Sequence, residues 1–197
     1  MKTKILIFSL VVMTLQSIAQ QSGTFKDKRD GKEYKTVKIG KQTWFAENLL
    51  YRSTEGEYWA YEDEDKMETA SGFLYNWSAA INACPKGWHL PNADEWTTLF
   101  NFLGGNDVAG GKLKEEDTWD KLNVDATNSS GFTAIPGGYY LNSLLRYENY
   151  FTNAIFWSAS ATDNDNATVV FLTNESGKVS VFNNDKKDGY SIRCIKD

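Results

Sequence analysis

The chain has 197 residues, a formal net charge of −5 with its histidine neutral, and 14% aromatic residues. An acidic chain without a cluster of Lys and Arg binds nucleic-acid phosphates or anionic lipid poorly, so we expect no nucleic-acid partner. The length fits one domain with a sizeable hydrophobic core.

The first residues have the composition of an export signal. Lys2 and Lys4 precede an apolar run at residues 5–15, which is too short to span a bilayer. Ser17 and Ala19 are small residues at the positions that a signal peptidase reads. We therefore predict a signal peptide at residues 1–19 and a secreted, periplasmic or cell-surface mature chain. An uncleaved anchor is the alternative, and the rest of the chain has no second apolar run of spanning length.

The N-terminal half is predicted to contain a hairpin and two helices. Residues 20–33 form a polar N-terminal segment, and a single domain follows at residues 34–197. Alternation predicts strands at residues 34–39 and 42–45 around a turn at Gly40. Apolar spacing predicts a first helix from Phe73 to Cys84, which Pro85 ends.

The second helix has a start signal that can be read from sequence. Asn92 is a capping residue and Glu95 stands three positions later, where a capping-box carboxylate reaches back. Trp96, Leu99 and Phe100 follow at helical spacing, and Gly104 is placed to end the helix. A further short helix is possible near residues 108–114.

The C-terminal third changes to a period of two, which is typical of strands. We predict strands at residues 132–140, 156–161, 168–173, 178–182 and 191–196. The predicted fold class is α+β, with two main helices packed on a twisted antiparallel sheet with long loops.

Two cysteines, Cys84 and Cys194, are the only ones in the chain. In an exported protein two cysteines usually pair, so we predict a disulfide between them. The alternative is a nucleophilic thiol beside His89, which would need the histidine to meet a cysteine in space.

Several segments together resemble the Fibrobacter succinogenes major paralogous domain family of exported bacterial proteins. They include Cys-Pro-Lys-Gly-Trp-His-Leu-Pro at residues 84–91, Pro-Gly-Gly-Tyr at residues 136–139 and Ser-Ile-Arg-Cys at residues 191–194. The resemblance covers roughly residues 26–197. It implies a fold like that of C-type lectins and of the formylglycine-generating, sulfatase-modifying enzymes. In lectin-like domains a cysteine near the first helix often pairs with one on the last strand, which agrees with Cys84 and Cys194.

The sequence does not supply a catalytic constellation. The formylglycine-generating chemistry needs a reactive cysteine pair that holds copper, whereas both cysteines here are better placed as a bridge. One histidine, without a nucleophile elbow or a metal-binding His cluster, does not make a hydrolase. We therefore expect no enzyme activity, with a degenerate relative of these enzymes as a less favoured alternative.

The best ligand-binding candidates lie in a turn-rich stretch with many rings. Aromatic faces and a guanidinium fork suit sugars or peptides. The candidate ligand-binding residues are Tyr139, Tyr140, Arg146, Tyr147, Glu148 and Tyr150. The alternative is that these rings cap the sheet.

A second candidate site is a loop rich in side-chain oxygens. Asp163, Asp165 and Asn166 could give several of the hard ligands that calcium prefers. Asp and Asn are also the ordinary residues of turns, and the acidic run at residues 62–65 has the same two interpretations. No other cofactor is expected.

These observations favour an exported, non-catalytic binding domain that recognises a glycan or an envelope protein through its loops. A structural, self-assembling surface protein is the alternative. The oligomeric state does not follow from the sequence.

Overall fold

The computed structural model describes residues 21–63 and 71–197. The predicted signal peptide and residues 64–65 of the acidic run lie outside these ranges. The described residues form a mixed α+β fold with three α-helices, which are α1 (Trp77–Ala83), α2 (Ala93–Phe102) and α3 (Asn106–Leu113). The strands are β1 (Gln21–Lys26), β2 (Glu33–Ile39), β3 (Gln42–Phe45), β4 (Tyr58–Trp59), β5 (Leu74–Tyr75), β6 (Trp88–His89), β7 (Gly137–Leu141), β8 (Arg146–Tyr150), β9 (Asn153–Ala161), β10 (Asn166–Thr173), β11 (Ser180–Asp185) and β12 (Ile195–Lys196).

The first sheet has five strands in the order β1-β2-β3-β12-β6, and its neighbours are antiparallel. The predicted hairpin is confirmed: β2 and β3 pair around Gly40, whose φ of 60° suits glycine. β1 is not among the predicted strands, because its residues are polar and mostly exposed. Directly after β1, the buried carboxylate of Asp27 accepts from the Arg29 side chain at 2.7 and 3.0 Å. The same guanidinium donates to the carbonyl of Ala83 at 2.9 Å, which ties the polar N-terminal segment to the domain.

The second sheet has five strands in the order β11-β10-β9-β7-β8. The prediction of one antiparallel sheet was wrong in two respects, because there are two main sheets and β7 pairs with β9 in parallel. β9 runs parallel to β7 because the chain reverses twice between them, once at the tip of the hairpin β7–β8 and again at residues 151–152. The segment predicted as an aromatic loop after residue 139 is instead the antiparallel hairpin β7–β8.

Helix α1 begins later than predicted. Leu74 and Tyr75 form β5, which pairs with β4, and the helix starts only after Asn76, whose side chain accepts from the Ala79 N–H at 3.0 Å. An apolar run of this length cannot be assigned to strand or helix by periodicity alone. Helix α2 has the predicted capping box: Asn92 accepts from the backbone of Glu95, and the Glu95 carboxylate accepts from the backbone of Asn92.

The second sheet separates two hydrophobic clusters. Trp44, Trp96, Phe132 and Phe156 pack on one side, between the sheets and α2. Phe45, Trp157 and Tyr190 belong to the cluster on the other side, beside α1. The predicted disulfide is confirmed: Cys84 at the end of α1 bonds to Cys194 just before β12, with Cα atoms 5.8 Å apart. It fastens the C-terminal strand to the helix across 110 residues of chain.

Among residues 21–63 and 71–197, every helix is too short or too polar to cross a membrane.

Candidate functional site

The six predicted ligand-binding residues do not form one surface. In the β7–β8 hairpin Tyr139 is opposite Glu148, and Tyr140 is opposite Tyr147. Because neighbouring residues of a strand point to opposite faces, Tyr139 and Glu148 lie on one face and Tyr140 and Tyr147 lie on the other. Arg146 shares the face of Glu148, to which it is ion-paired.

The second face of the hairpin packs against other rings of the protein. Tyr140 stacks on Trp59 with ring centroids 4.4 Å apart, and Tyr147 and Tyr150 lie 5.2 and 4.7 Å from Tyr61. Gly138 allows this approach, since a Cβ there would lie 2.6 Å from the Tyr61 ring. We call Trp59, Tyr61, Tyr140, Tyr147 and Tyr150 the aromatic face. Its contacts fit the alternative interpretation, in which the rings cap the sheet.

The first face of the hairpin borders a groove on the second sheet. This groove has a volume of about 450 Å³, and its walls come from β7, β9, β10 and β11 and from the turn before Tyr190. Tyr139 is the one predicted ligand-binding residue that lines it, and Asn166 of the predicted metal loop lies at its edge. We call it the sheet groove and define it by six residues: Tyr139, Phe182, Asn184, Asp185, Asp188 and Tyr190.

The sheet groove combines rings with amide and carboxylate groups. Phe182 is 52% exposed although its ring lies 5.9 Å from that of Phe171. Asn184 donates to the Tyr190 hydroxyl at 2.7 Å, and that hydroxyl donates to Asp188 at 3.1 Å. Asn153 adds a further amide to the lining. Flat apolar faces beside hydrogen-bonding groups are what a polyhydroxylated ligand requires.

The acid at the base of the groove is held in a fixed position. The Asp188 carboxylate also accepts from the backbone N–H of Asn142 at 3.0 Å, so its two oxygens join the hairpin to Tyr190. Burial raises the pKa of Asp188 above its ordinary value, although both hydrogen bonds oppose the rise. Burial, and then the charge of Asp188, raises the pKa of the Tyr190 hydroxyl, which therefore stays protonated and keeps donating at neutral pH.

The predicted metal loop is organised by its own hydrogen bonds. The Asp163 carboxylate accepts from the backbone N–H groups of Asp165 and Asn166 at 2.8 and 2.7 Å. The Lys186 ammonium donates to the carbonyls of Asp163 and Asn164 at 2.7 and 3.1 Å. The described part of the chain contains no group of three His, Cys, Asp or Glu side chains arranged to hold a metal. Calcium binding by Asp163, Asp165 and Asn166 stays a prediction.

The histidine does not meet a thiol. Both cysteines are in the disulfide, while His89 Nδ1 lies 2.7 Å from Asp197 Oδ1 and Nε2 lies 2.8 Å from Glu95 Oε1. Two acceptors require both ring nitrogens to carry protons. Partial burial alone would lower the pKa of His89, but the bonds to Asp197 and Glu95 outweigh it and raise the pKa above its ordinary value. The Cys–His alternative is therefore wrong.

A second cleft, of about 450 Å³, lies between β2 and residues 46–50, and Arg193 is at its inner end. The Arg193 guanidinium is 0% exposed and donates to Asn48 Oδ1 at 2.6 Å and to the carbonyls of Phe45, Phe132 and Thr133. A ligand would have to displace these partners to reach it. We therefore assign Arg193 to the framework of the domain and not to a site.

Five of the six groove residues were missed by the sequence analysis. The predicted strand at residues 178–182 ends at Phe182, whereas β11 continues through Asp185. The alternation of Phe182 with Asn184 was the available signal, since both face the groove. Asp188 and Tyr190 come close to Phe182 and Asn184 only in the folded chain, and no local sequence pattern indicates that they belong to the same site.

The chain belongs to a known domain family. The family model described as the Fibrobacter succinogenes major domain matches residues 37–196, which is nearly the whole described chain. A comparison with curated proteins found no match, and neither did a comparison with solved structures. The expected family is thus confirmed.

Proposed function

We propose that this protein is an exported, non-catalytic glycan-binding domain with a C-type lectin-like fold, and that the sheet groove is its binding site. The observation that carries the proposal is the lining of the groove, where the exposed ring of Phe182 lies beside the amide of Asn184 and the hydroxyl of Tyr190. A sugar ring places its C–H face on an aromatic side chain and its hydroxyls against amides and carboxylates.

The surroundings of the groove support binding without catalysis. Asp188 is held by two internal hydrogen bonds and the only histidine is engaged elsewhere, so neither is placed as an acid or base toward a bound ligand. The export signal predicted at residues 1–19 supports a secreted, periplasmic or cell-surface location, where glycans are abundant. Calcium at the loop of Asp163, Asp165 and Asn166 is a secondary proposal, since this loop adjoins the groove.

A protein ligand is the second candidate, and the tip of the β7–β8 hairpin favours it. Leu144 and Leu145 are 55% and 74% exposed there. Two adjacent large aliphatic side chains on a projecting turn suit an apolar pocket of an envelope protein or of another copy of this chain.

The proposal is tested by a binding screen of residues 20–197 on soluble oligosaccharides and envelope polysaccharides, run with calcium and again with a chelator. We expect binding that the substitution Asn184→Ala weakens at least tenfold. The control, Asn101→Ala, changes a solvent-facing amide on α2 far from the groove and should bind normally. Loss of binding in chelator would support the calcium site. Absence of binding to every glycan would contradict the proposed function and favour the protein ligand, which the variant Leu144→Ser with Leu145→Ser would then test.

A further inference from the structure

The outer edge of β11 is open to pairing with another strand. β11 ends the second sheet and pairs with β10 over six consecutive residues without a register shift. No other strand within residues 21–63 and 71–197 pairs with its free side. Proteins usually protect such an edge with a charged side chain, a proline, a bulge or a very short strand. Through residues 180–184, β11 has none of these protections.

The other edge strands of the two main sheets are protected. β6 has only two residues. β8 carries the charged pair Arg146 and Glu148, and the positive φ of Asn149, 58°, interrupts it. β1 is polar and ends at Lys26, and its one large apolar side chain, Phe25, packs against rings of the first sheet. An open and regular edge is therefore particular to β11 in the described part of the main sheets.

β11 also exposes apolar side chains on both of its faces. Val181 is 45% exposed and Phe182 is 52% exposed. Because neighbouring residues of a strand point to opposite faces, these two side chains lie on opposite sides of the sheet. A helix or loop packed on one face would cover one of them. A strand in the plane of the sheet can contact both while it pairs with the free backbone groups.

We infer that β11 is a self-association edge, at which it pairs antiparallel with β11 of a second copy of this chain. The strand has no charge from Ser180 to Asn184, so two copies align without opposed like charges, and a two-fold axis is the commonest symmetry of soluble oligomers. An axis at Phe182 places the two Phe182 rings opposite each other, which is a favourable cross-strand pair, and places Val181 opposite Asn183 of the second copy.

This pairing joins two five-stranded sheets into one. The axis is perpendicular to the sheet, so both sheet grooves lie on the same face and meet at the Phe182 pair. The inference rests on the free strand edge and does not depend on the proposed function.

The first test is sedimentation equilibrium of residues 20–197 at concentrations up to about 1 mM, since small interfaces associate weakly. We expect a monomer–dimer equilibrium whose dissociation constant rises at least tenfold in Val181→Lys, which adds a charge to the edge. The control, Thr24→Lys, adds the same charge to an exposed position of the edge strand β1 and should leave the constant unchanged. Circular dichroism spectra of both variants should match that of the wild type.

A cross-linking measurement tests the pairing without a charged variant. Both native cysteines are in the disulfide, so Phe182→Cys introduces a single free thiol. Directly opposite residues of antiparallel strands have Cα atoms about 4.5–5.5 Å apart, which a disulfide can span. We expect Phe182→Cys to form a covalent dimer under mild oxidation, and Thr24→Cys to stay monomeric.

The outcomes distinguish the edge from the register. A monomer at every concentration, or equal weakening by Val181→Lys and Thr24→Lys, would overturn the inference. Cross-linking of Asn183→Cys in place of Phe182→Cys would overturn the axis at Phe182 and retain the pairing of β11. Dimers that form without glycan binding would overturn the proposed function alone.

Discussion

Arg193 and Asp188 lie five residues apart, and both are buried charged groups, but they belong to different kinds of region. Around Arg193 the fold supplies an amide oxygen and three carbonyls, and the rings of Phe132 and Phe156 lie 4.5 and 5.5 Å away. Around Asp188 the fold supplies two donors and leaves an open groove beside them. The first region is closed by its own contacts, whereas the second has polar groups and rings that face solvent.

Lys114, like Arg193, is a buried cation whose hydrogen bonds go to the protein's own carbonyls. Its buried ammonium donates to the carbonyls of Val124, Thr173 and Ser176 at 2.9 to 3.0 Å, which matches its three protons to three acceptors. Burial lowers the pKa of Lys114 to about 8 and that of Arg193 to about 9, so both groups are still protonated at neutral pH. Buried cations that bond to acceptors of the protein itself therefore mark the framework of this domain, and the predictions below test the distinction between framework and groove.

The largest loss of stability is expected for Arg193→Met. It leaves Asn48 Oδ1 and three carbonyls without their donor, and we expect the free energy of unfolding to fall by about 3–5 kcal/mol in urea titrations. The matched control is Arg146→Met, which removes a surface arginine that is ion-paired with Glu148 and should cost less than about 1 kcal/mol. Equal losses in the two variants would contradict the framework role of Arg193.

The second largest loss of stability is expected when the disulfide is removed. Replacing both Cys84 and Cys194 by Ser should lower the free energy of unfolding by about 2–5 kcal/mol, since the bridge closes a long loop. Reduction of the wild-type protein should give the same urea midpoint as the double variant. Thiol titration of the denatured, unreduced protein should find no thiol, and two thiols would refute the bridge.

Whether a part of this framework could be predicted depends on how far apart in sequence its interacting residues lie. The hairpin at Gly40 and the capping box at Asn92 depend on residues within a few positions of each other, so the sequence predicts them. The cysteine pair was predictable because there are only two. The partners of Arg193, in contrast, come from residues 45–48 and 132–133. No pattern in the sequence around Arg193 indicates that this arginine is buried.

The groove was less predictable for the same reason. The ring of Tyr139 makes this residue a candidate from the sequence alone. Its neighbours Asp188 and Tyr190 belong to a segment about 50 residues later, which lies beside β7 because Tyr140 pairs with Gly189. Tyr140 and Tyr147 are on the aromatic face because alternation along the strands separates them from Tyr139. Tyr150 reaches the same face because Asn149, with a φ of 58°, interrupts the alternation. Composition finds the ring-rich segment, and only the register decides which rings face solvent.

A smaller effect on stability is expected at the edge of the framework, where the His89 ring bonds to both Asp197 and Glu95. The pKa of His89 is raised in the folded protein, so its contribution to stability is complete below pH 6.5 and is lost as pH rises through the folded pKa. The side chain is 40% exposed, and we expect less than about 1 kcal/mol. Urea midpoints measured from pH 5 to pH 9 should fall less for His89→Gln than for the wild type. Parallel pH profiles would contradict this role.

The smallest effect on stability is expected in the groove. Phe182→Ala removes a half-exposed ring and should cost less than about 1 kcal/mol of unfolding free energy. Its effect on glycan affinity should nevertheless be at least tenfold, or about 1.4 kcal/mol, because the proposed function places the sugar on this ring. Val181→Ala, which removes an exposed neighbour on the other face of β11, is the control for both measurements. A large loss of stability with unchanged binding would place Phe182 in the framework instead.

The most direct test of the distinction between framework and groove is a map of backbone amide chemical shifts during titration with the soluble oligosaccharide that binds best. The account predicts that the shifts concentrate at Tyr139 and at residues 182–190, while residues 191–195 and the amides around His89 stay unchanged. Shifts confined to the cleft beside Arg193 or to the aromatic face around Trp59 and Tyr61, with residues 182–190 unmoved, would contradict it.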